Sequence, residues 1–473
     1  MKSALTALTL TAAAALLTFD ALATTSTDRN RTRDTSSRNE ILRGIYNEPL
    51  GSASDPDTTL GGSFNNPWTG GGSSDPLPKN VYEINLKNTG TEWEESFLVG
   101  IPDQPLLPAP VLVLFHGYGE QPRGLLETTT YFNDAMERGW IVVAPLGAHQ
   151  YNFSVEYAQK NTEKALDWVG QFLPVDPDRF YAVGFSMGGG AATTYAARHL
   201  DPMHARFAAV VNHTGTSSVS DVYWKSAEKS LLKSDLMFGG TPDEVPFAYQ
   251  VASSLHLDHV TNEVDANSDL ARNLAHIQVK NFYADGDPNA YLINQTTSTH
   301  DHLLARNVTS VIDTASFTIH KWKTLKEWKV LDYLENIVLA EPAEGQVTRT
   351  LADRDGTWFH FDIDQVNEGE FSPFRWTNMA SQNRLYLDEV ANVERVSFDP
   401  ATLNMDKSST FEMVFSNNDG RTVEIELEGY ASAPTDVQRG GSSTGSWYYD
   451  SVNQSVVLIE SSGQNYPTWR VIP

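Results

Sequence analysis

Arg179-Phe180-Tyr181-Ala182-Val183-Gly184-Phe185-Ser186-Met187-Gly188-Gly189-Gly190-Ala191-Ala192 decides how this chain is read. An apolar, strand-favouring run over 179–183 enters Gly184-Phe185-Ser186-Met187-Gly188, and a small-residue helical segment follows over 189–197. A serine between glycines at a strand-to-helix junction requires a sharp turn, and the glycines remove side chains where strand and helix approach most closely. Such an elbow lifts the hydroxyl into a cleft. It also sets the amide of Met187, at a helix N-terminus, facing any oxyanion that forms there. Ser186 is the candidate nucleophile and Met187 the candidate first oxyanion donor. A purely structural Gly-Ser turn is the alternative, and the strand before and helix after it argue against that.

Outward from the elbow, strands alternate with helices between about residues 81 and 342, which predicts a mainly parallel sheet covered on both faces. Continuous apolar runs at 110–115, 140–145 and 207–211 read as buried strands, with 278–283 and 315–319 completing the sheet. Helices are expected over 125–138, around 163–170 and over 325–338. The fold class is α/β, a doubly wound sheet of the α/β-hydrolase kind. Residues 217–275 interrupt the alternation and read as an insertion over the cleft. Its aromatics Tyr223, Trp224, Phe247 and Tyr249 are either a substrate-pocket wall or the insertion's own core.

A serine hydroxyl needs a base to take its proton, and the base needs an orienting carboxylate; in this fold the chain order is Ser, acid, His. Asp287 and Asp285 share the loop Ala284-Asp285-Gly286-Asp287-Pro288 after a strand, and Asp287 is preferred because it lies a short turn beyond the strand end. His320, after the last strand, occupies the slot of the base. His300 and His302 fall in a helix-like segment, and His116 reads as a structural hydrogen-bonder. The loop His116-Gly117-Tyr118-Gly119 supplies the second oxyanion donor, assigned to Tyr118. Trp322 and Trp224 are candidate substrate-binding side chains. No metal or organic cofactor is expected.

Residues 1–23 have the charge, apolar segment and Ala21-Leu22-Ala23 close of a secretory signal, so a secreted or periplasmic location is expected. No segment is long and apolar enough to predict a membrane span. Residues 24–80, rich in Ser, Thr, Asp, Asn and Gly, read as a flexible linker. Residues 343–473 alternate short strands with turns and predict an all-β, sandwich-like domain. That domain either binds a polymer surface through exposed aromatics or serves as a spacer with its aromatics inside. The chain has no cysteine, which excludes disulfides, thiolate metal sites and cysteine nucleophiles. Its 60 acidic against 34 basic residues give a net charge of −26, which disfavours nucleic acid and polyanionic partners and favours neutral or cationic substrates.

The block Asp176-Pro177-Asp178-Arg179 through Gly189, with Gly239-Gly240-Thr241-Pro242 and His320-Lys321-Trp322, resembles the secreted esterases of the α/β-hydrolases: feruloyl and acetylxylan esterases and polyhydroxyalkanoate depolymerases. The Ser-Met-Gly-Gly-Gly run beside an oxyanion tyrosine is also similar to cutinases and polyester hydrolases. The resemblance spans about residues 95–338. It implies a serine carboxylic-ester hydrolase acting on polyester, hydroxycinnamoyl or acetyl esters, with an ester substrate, polymeric or not, as partner. A peptidase of prolyl-oligopeptidase type is the enzymatic alternative; such enzymes carry a large gating domain before the hydrolase, and residues 24–80 are too short for a propeller. A non-catalytic binding protein using the β-domain is the other, and the complete Ser-Asp-His order argues against it.

Overall fold

The computed structural model describes Thr58–Leu60, residues 77–461 and residues 466–473. The expected signal segment, 1–23, and the linker 24–80 apart from Thr58–Leu60 and 77–80 lie outside the described residues. Among the described residues one sheet has nine strands: β1 Thr58–Leu60, β2 Val81–Leu86, β3 Glu95–Gly100, β4 Ala109–Phe115, β5 Ile141–Pro145, β6 Val175–Phe185, β7 Phe207–His213, β8 Gln278–Ala284 and β9 Thr309–Ala315. Their order is β1-β2-β3-β5-β4-β6-β7-β8-β9. From β5 to β9 every pairing is parallel, and β1, β2 and β3 join antiparallel at the other edge. Three residues of the expected linker thus extend the sheet as β1.

The alternation of side chains along β4 shows why the sheet is covered twice. Val111, Val113 and Phe115 pack into one core with Trp168, Val169 and Tyr195, whereas Leu112 and Leu114 pack into another with Tyr131, Leu331 and Leu334. A strand buried on both faces must be apolar throughout, as 110–115 is. The first layer contains α3 (Glu156–Phe172) and α4 (Met187–Arg198), and the second contains α1 (Pro122–Thr128), α2 (Tyr131–Glu137) and α9 (Glu327–Leu334). Helix α8 (Ala290–Ala305) joins β8 to β9.

Three element boundaries differ from expectation. The helix expected over 125–138 is two helices, because Thr128 and Thr129 turn their hydroxyls back onto Gly124 and Leu125 carbonyls and Thr129 is extended. The last strand is β9 at 309–315 rather than 315–319; as an edge strand it needs little apolar surface, so Thr-Ser-Val-Ile-Asp-Thr-Ala carries a weak signal. The helix expected over 325–338 is the shorter α9.

Helices α5 (Val219–Lys225), α6 (Lys229–Leu232) and α7 (Pro246–Val251) fold the insertion around its own core of Val222, Tyr223, Leu232, Phe238 and Tyr249, which also takes in Phe153 and Met187. Tyr223 and Tyr249 are therefore core residues, and Phe247 packs on Phe371 at 5.0 Å between ring centroids.

From Thr348 the chain forms a seven-stranded and a six-stranded sheet. Their facing side chains, including Trp358, Phe361, Trp376, Phe398, Phe411, Ile425 and Trp469, make one core. Two strand pairs are parallel, Arg384–Val390 with Phe411–Asn417 and Val393–Phe398 with Val423–Leu427. Arg198 at the end of α4 ion-pairs with Asp353, both side chains being buried, and Asn273 exchanges hydrogen bonds with the backbone of Leu351. These contacts seat the β-sheets against the nine-stranded layer.

Candidate active site

Ser186 sits at the end of β6 with φ 56° and ψ −122°, a conformation an L-residue holds only when its surroundings enforce it. Those surroundings are tight: a Cβ on Gly184 would lie 1.9 Å from the Gly188 carbonyl oxygen, and one on Gly188 would lie 2.1 Å from the Phe115 carbonyl oxygen. The Ser186 amide donates to the His213 carbonyl at 3.0 Å and the Ser186 carbonyl accepts from Gly189 and Thr216. The strained residue is thereby locked from three sides, with 9% of its surface exposed.

Backbone amides next to the serine divide into claimed and unclaimed ones. In the loop after β4, Gly117 donates to the Glu120 carboxylate at 2.8 Å, Gly119 to the Gln150 carbonyl at 2.9 Å and Glu120 to the Gly117 carbonyl at 3.1 Å. Among the described residues the Tyr118 amide has no acceptor. Met187 is the first residue of α4, so its amide has no partner within the helix. Among the described residues neither the Tyr118 nor the Met187 amide has a protein acceptor, and the Gly188 amide, second in α4, is likewise without one.

His320 Nδ1 lies 2.6 Å from Asp287 Oδ2, and the other oxygen of Asp287 accepts the Asn289 amide at 2.9 Å. Asp287 is buried, whereas Asp285 is exposed and engages the Ala315 carbonyl only through its backbone amide. The loop's two candidates are thus separated by geometry. The imidazole lies against Phe185, the residue preceding the serine, at 4.4 Å between ring centroids. Its Nε2 is buried with no hydrogen-bond partner, the Ser186 hydroxyl included. Such contacts often tighten only when substrate binds.

The other histidines hold structural positions. His116 places both ring nitrogens on carbonyls, Gly117 and Leu146, at 2.9 Å. His300 bonds the Ser310 hydroxyl and His302 pairs with buried Asp269. His213, which sequence reasoning passed over, lies under the site with Nε2 on the Thr324 hydroxyl, and burial pushes its pKa down to about 3. It stays neutral beside His320.

Of the two tryptophans assigned to substrate, Trp322 is turned into the core. Trp322 is 3% exposed, packs on Phe185, Tyr131 and His213, and donates its indole N–H to Glu120 at 3.0 Å. The segment turns it inward, so it packs against Phe185 and His213 rather than facing solvent. Trp224 is half-buried, stacks on His259 and meets Tyr223 edge-on with Lys229 above it, all contacts within the insertion.

Sequence reasoning missed three glutamates. Glu120 bridges Trp322 and the Gly117 amide, and its position in the oxyanion loop was the available signal. Glu228, in the insertion, accepts the Tyr118 hydroxyl; burial together with that bond raises the tyrosine's pKa above its ordinary value. Glu95 at the start of β3 is fully buried. Nothing local marked the last two, whose partners are distant in sequence. Among the described residues Glu163, Asp167 and His204 are the one grouping with metal-ligand geometry. The hydrogen bond to Asp167 pushes His204 up to about 9, so it is protonated at neutral pH, which suits an ion pair better than a ligand.

The sheet order, the serine elbow and the acid and histidine after the following strands define an α/β-hydrolase fold. No protein-family model matches the chain, and no curated protein matches it. Solved structures similar to it include a fluorophosphonate-binding serine hydrolase, FphF, of Staphylococcus aureus (14% identity, 54% of this chain and 98% of that one, TM-score 0.39). An S-formylglutathione hydrolase of Agrobacterium tumefaciens is similar at 16% identity over 55% of this chain and 98% of that one, with TM-score 0.40. Dipeptidyl peptidase 4 of Porphyromonas gingivalis is similar at 14% identity over 54% of this chain and 40% of that one, with TM-score 0.39. The functional reading rests on the side chains of the site.

Proposed function

We propose that this chain is a serine carboxylic-ester hydrolase that works through an acyl-enzyme. The observation that carries it is the 2.6 Å Asp287–His320 pair set against the Ser186 elbow, beside two amides with no protein acceptor. In this mechanism His320 Nε2 takes the Ser186 proton as Oγ attacks the ester carbonyl, and Asp287 holds the imidazole and its developing positive charge. The tetrahedral oxyanion accepts from the Tyr118 and Met187 amides, each worth about 3 kcal/mol of barrier. His320 then protonates the departing alkoxide, and water repeats the sequence on the acyl-Ser186 ester.

Secretion, suggested by residues 1–23, and neutral esters as substrates, suggested by the net charge of −26, belong to the same proposal. The full chain should hydrolyse p-nitrophenyl acetate and react with a fluorophosphonate at Ser186. Ser186→Ala should abolish both. Turnover by Ser186→Ala equal to wild type, or hydrolysis of peptide anilides without hydrolysis of esters, overturns the reading.

A further inference from the structure

Glu95 begins a strand that is buried throughout, and it has no surface exposure. Its Oε1 accepts the amides of Leu146 at 2.8 Å and Gly147 at 3.0 Å, and its Oε2 accepts the amide of Ala148 at 2.8 Å. Three successive N–H groups aimed at one carboxylate form an anion nest with the side chain of the same protein as its anion. The groups acting on Glu95 are these amides and the Asn161 side chain; no cation is among them. Of the ionisable side chains in the loop and next to it, His149 bonds the Tyr157 hydroxyl and burial lowers its pKa to about 4, while His116 is engaged with the Gly117 and Leu146 carbonyls.

The loop so anchored, 146–154, is under strain. Ala148, Phe153 and Ser154 all have positive φ, at 69°, 41° and 58°. Each such residue costs of order 1–3 kcal/mol and persists only where other contacts fix it. At its far end the loop meets Tyr118 and Met187, whose amides have no protein acceptor among the described residues. Its Gln150 carbonyl accepts the Gly119 amide, its Tyr151 and Phe153 rings lie 4.9 and 5.5 Å from the Tyr118 ring, and the Phe153 amide donates to Met187 Sδ at 3.3 Å.

We propose that Glu95 is a positioning residue for the oxyanion hole, its ionised carboxylate holding the 146–154 loop in the strained form that backs Tyr118 and Met187. This inference rests on the oxyanion role given to those two amides. The ionised form is required because a neutral carboxyl turns one oxygen into a donor, which then opposes an amide that also donates. Burial raises the Glu95 pKa to about 7, so the anchor loosens within the ordinary working range as pH falls.

The test is a pH profile of kcat and kcat/KM for p-nitrophenyl acetate on full-length wild type and Glu95→Gln. The ratio of wild-type to Glu95→Gln kcat should be about 10- to 100-fold at pH 8 and should fall toward one below neutrality, as the wild-type carboxyl takes up its proton. KM of the two proteins should stay within about twofold of each other across the range. A ratio within threefold at pH 8, or one that stays constant as pH falls, overturns the proposal. Amide hydrogen exchange on the unmodified chain gives a readout that needs no variant. Protection factors at 146–148, corrected for intrinsic rates, should be higher at pH 8 than at pH 6 while β4 stays constant; equal protection at both values overturns it as well. Ester hydrolysis that survives Ser186→Ala removes the underlying esterase reading instead, so the two failures are distinguishable.

Discussion

Replacing Asp287 by asparagine tests how the acid works, because the structure dictates which way the new side chain must face. One oxygen of Asp287 accepts the Asn289 amide at 2.9 Å and the other lies 2.6 Å from His320 Nδ1. Asparagine has one acceptor and one donor group. Keeping the Asn289 bond turns its NH2 toward Nδ1, which must then be the unprotonated nitrogen, leaving the proton on Nε2. An Nε2–H cannot receive the Ser186 proton. The reversed orientation sets NH2 against the Asn289 amide and leaves a buried donor unmatched, at about 1–3 kcal/mol. The wrong tautomer therefore dominates, and kcat should fall about 10⁴-fold, equivalent to ~5.5 kcal/mol of barrier. KM should stay within about threefold, because no group that contacts substrate changes. Asp285→Asn, at an exposed position, should remain within twofold of wild type. Initial rates on p-nitrophenyl acetate would be normalised to protein concentration from absorbance and accompanied by thermal melts to confirm folding. An Asp287→Asn enzyme within tenfold of wild type, or an Asp285→Asn loss of equal size, refutes the assignment.

Asp353→Ala should destabilise the whole chain by roughly 3–5 kcal/mol, because it leaves the Arg198 guanidinium, 2% exposed, with only half-exposed Glu156 as counter-charge; calorimetry should show Tm lower by several degrees, and a change under one degree would sink the argument. The pH dependence of stability isolates Glu95. Its carboxyl has an ordinary value of 4.5 and is raised by burial to about 7 in the folded chain, so the native state keeps a proton that the unfolded state has released. Its contribution should be constant below about pH 4.5 and should weaken stability as pH rises to about 7, by at most roughly 3 kcal/mol. Urea midpoints of wild type minus those of Glu95→Gln, followed from pH 4 to 9, should fall across that window; a flat difference contradicts the raised pKa of the buried carboxyl.

The residues legible in the sequence share one property: each is announced by its own chain neighbours. The Ser186 elbow needs glycine at 184 and 188 because any Cβ there would meet backbone within about 2 Å, so the constraint is written beside the residue it serves. Asp287 and His320 follow β8 and β9 in the chain and Tyr118 follows β4, so their places in the order of strands were readable even though the last strand was expected at 315–319 instead of 309–315. Side-chain direction was not legible by the same means. Trp322 is two residues from the base, yet the 3₁₀ turn at 322–324 points its indole inward to Glu120, and sequence proximity to His320 suggested the opposite. Interactions that close over long separations left no trace either. Glu95 meets its amides about 50 residues later, and the Tyr118–Glu228 bond spans 110 residues, so each reads in isolation as an ordinary polar position. In the C-terminal sheets the alternation of side chains marked strands but not partners, because period two fixes which face is buried and says nothing of which strand lies alongside; the two parallel pairings emerge only from the shared core. The chemistry of this site is thus encoded locally and its electrostatic support non-locally. For that reason substitutions at Glu95 and Glu228, rather than at the triad, are the ones whose effects sequence reading cannot anticipate and structure can.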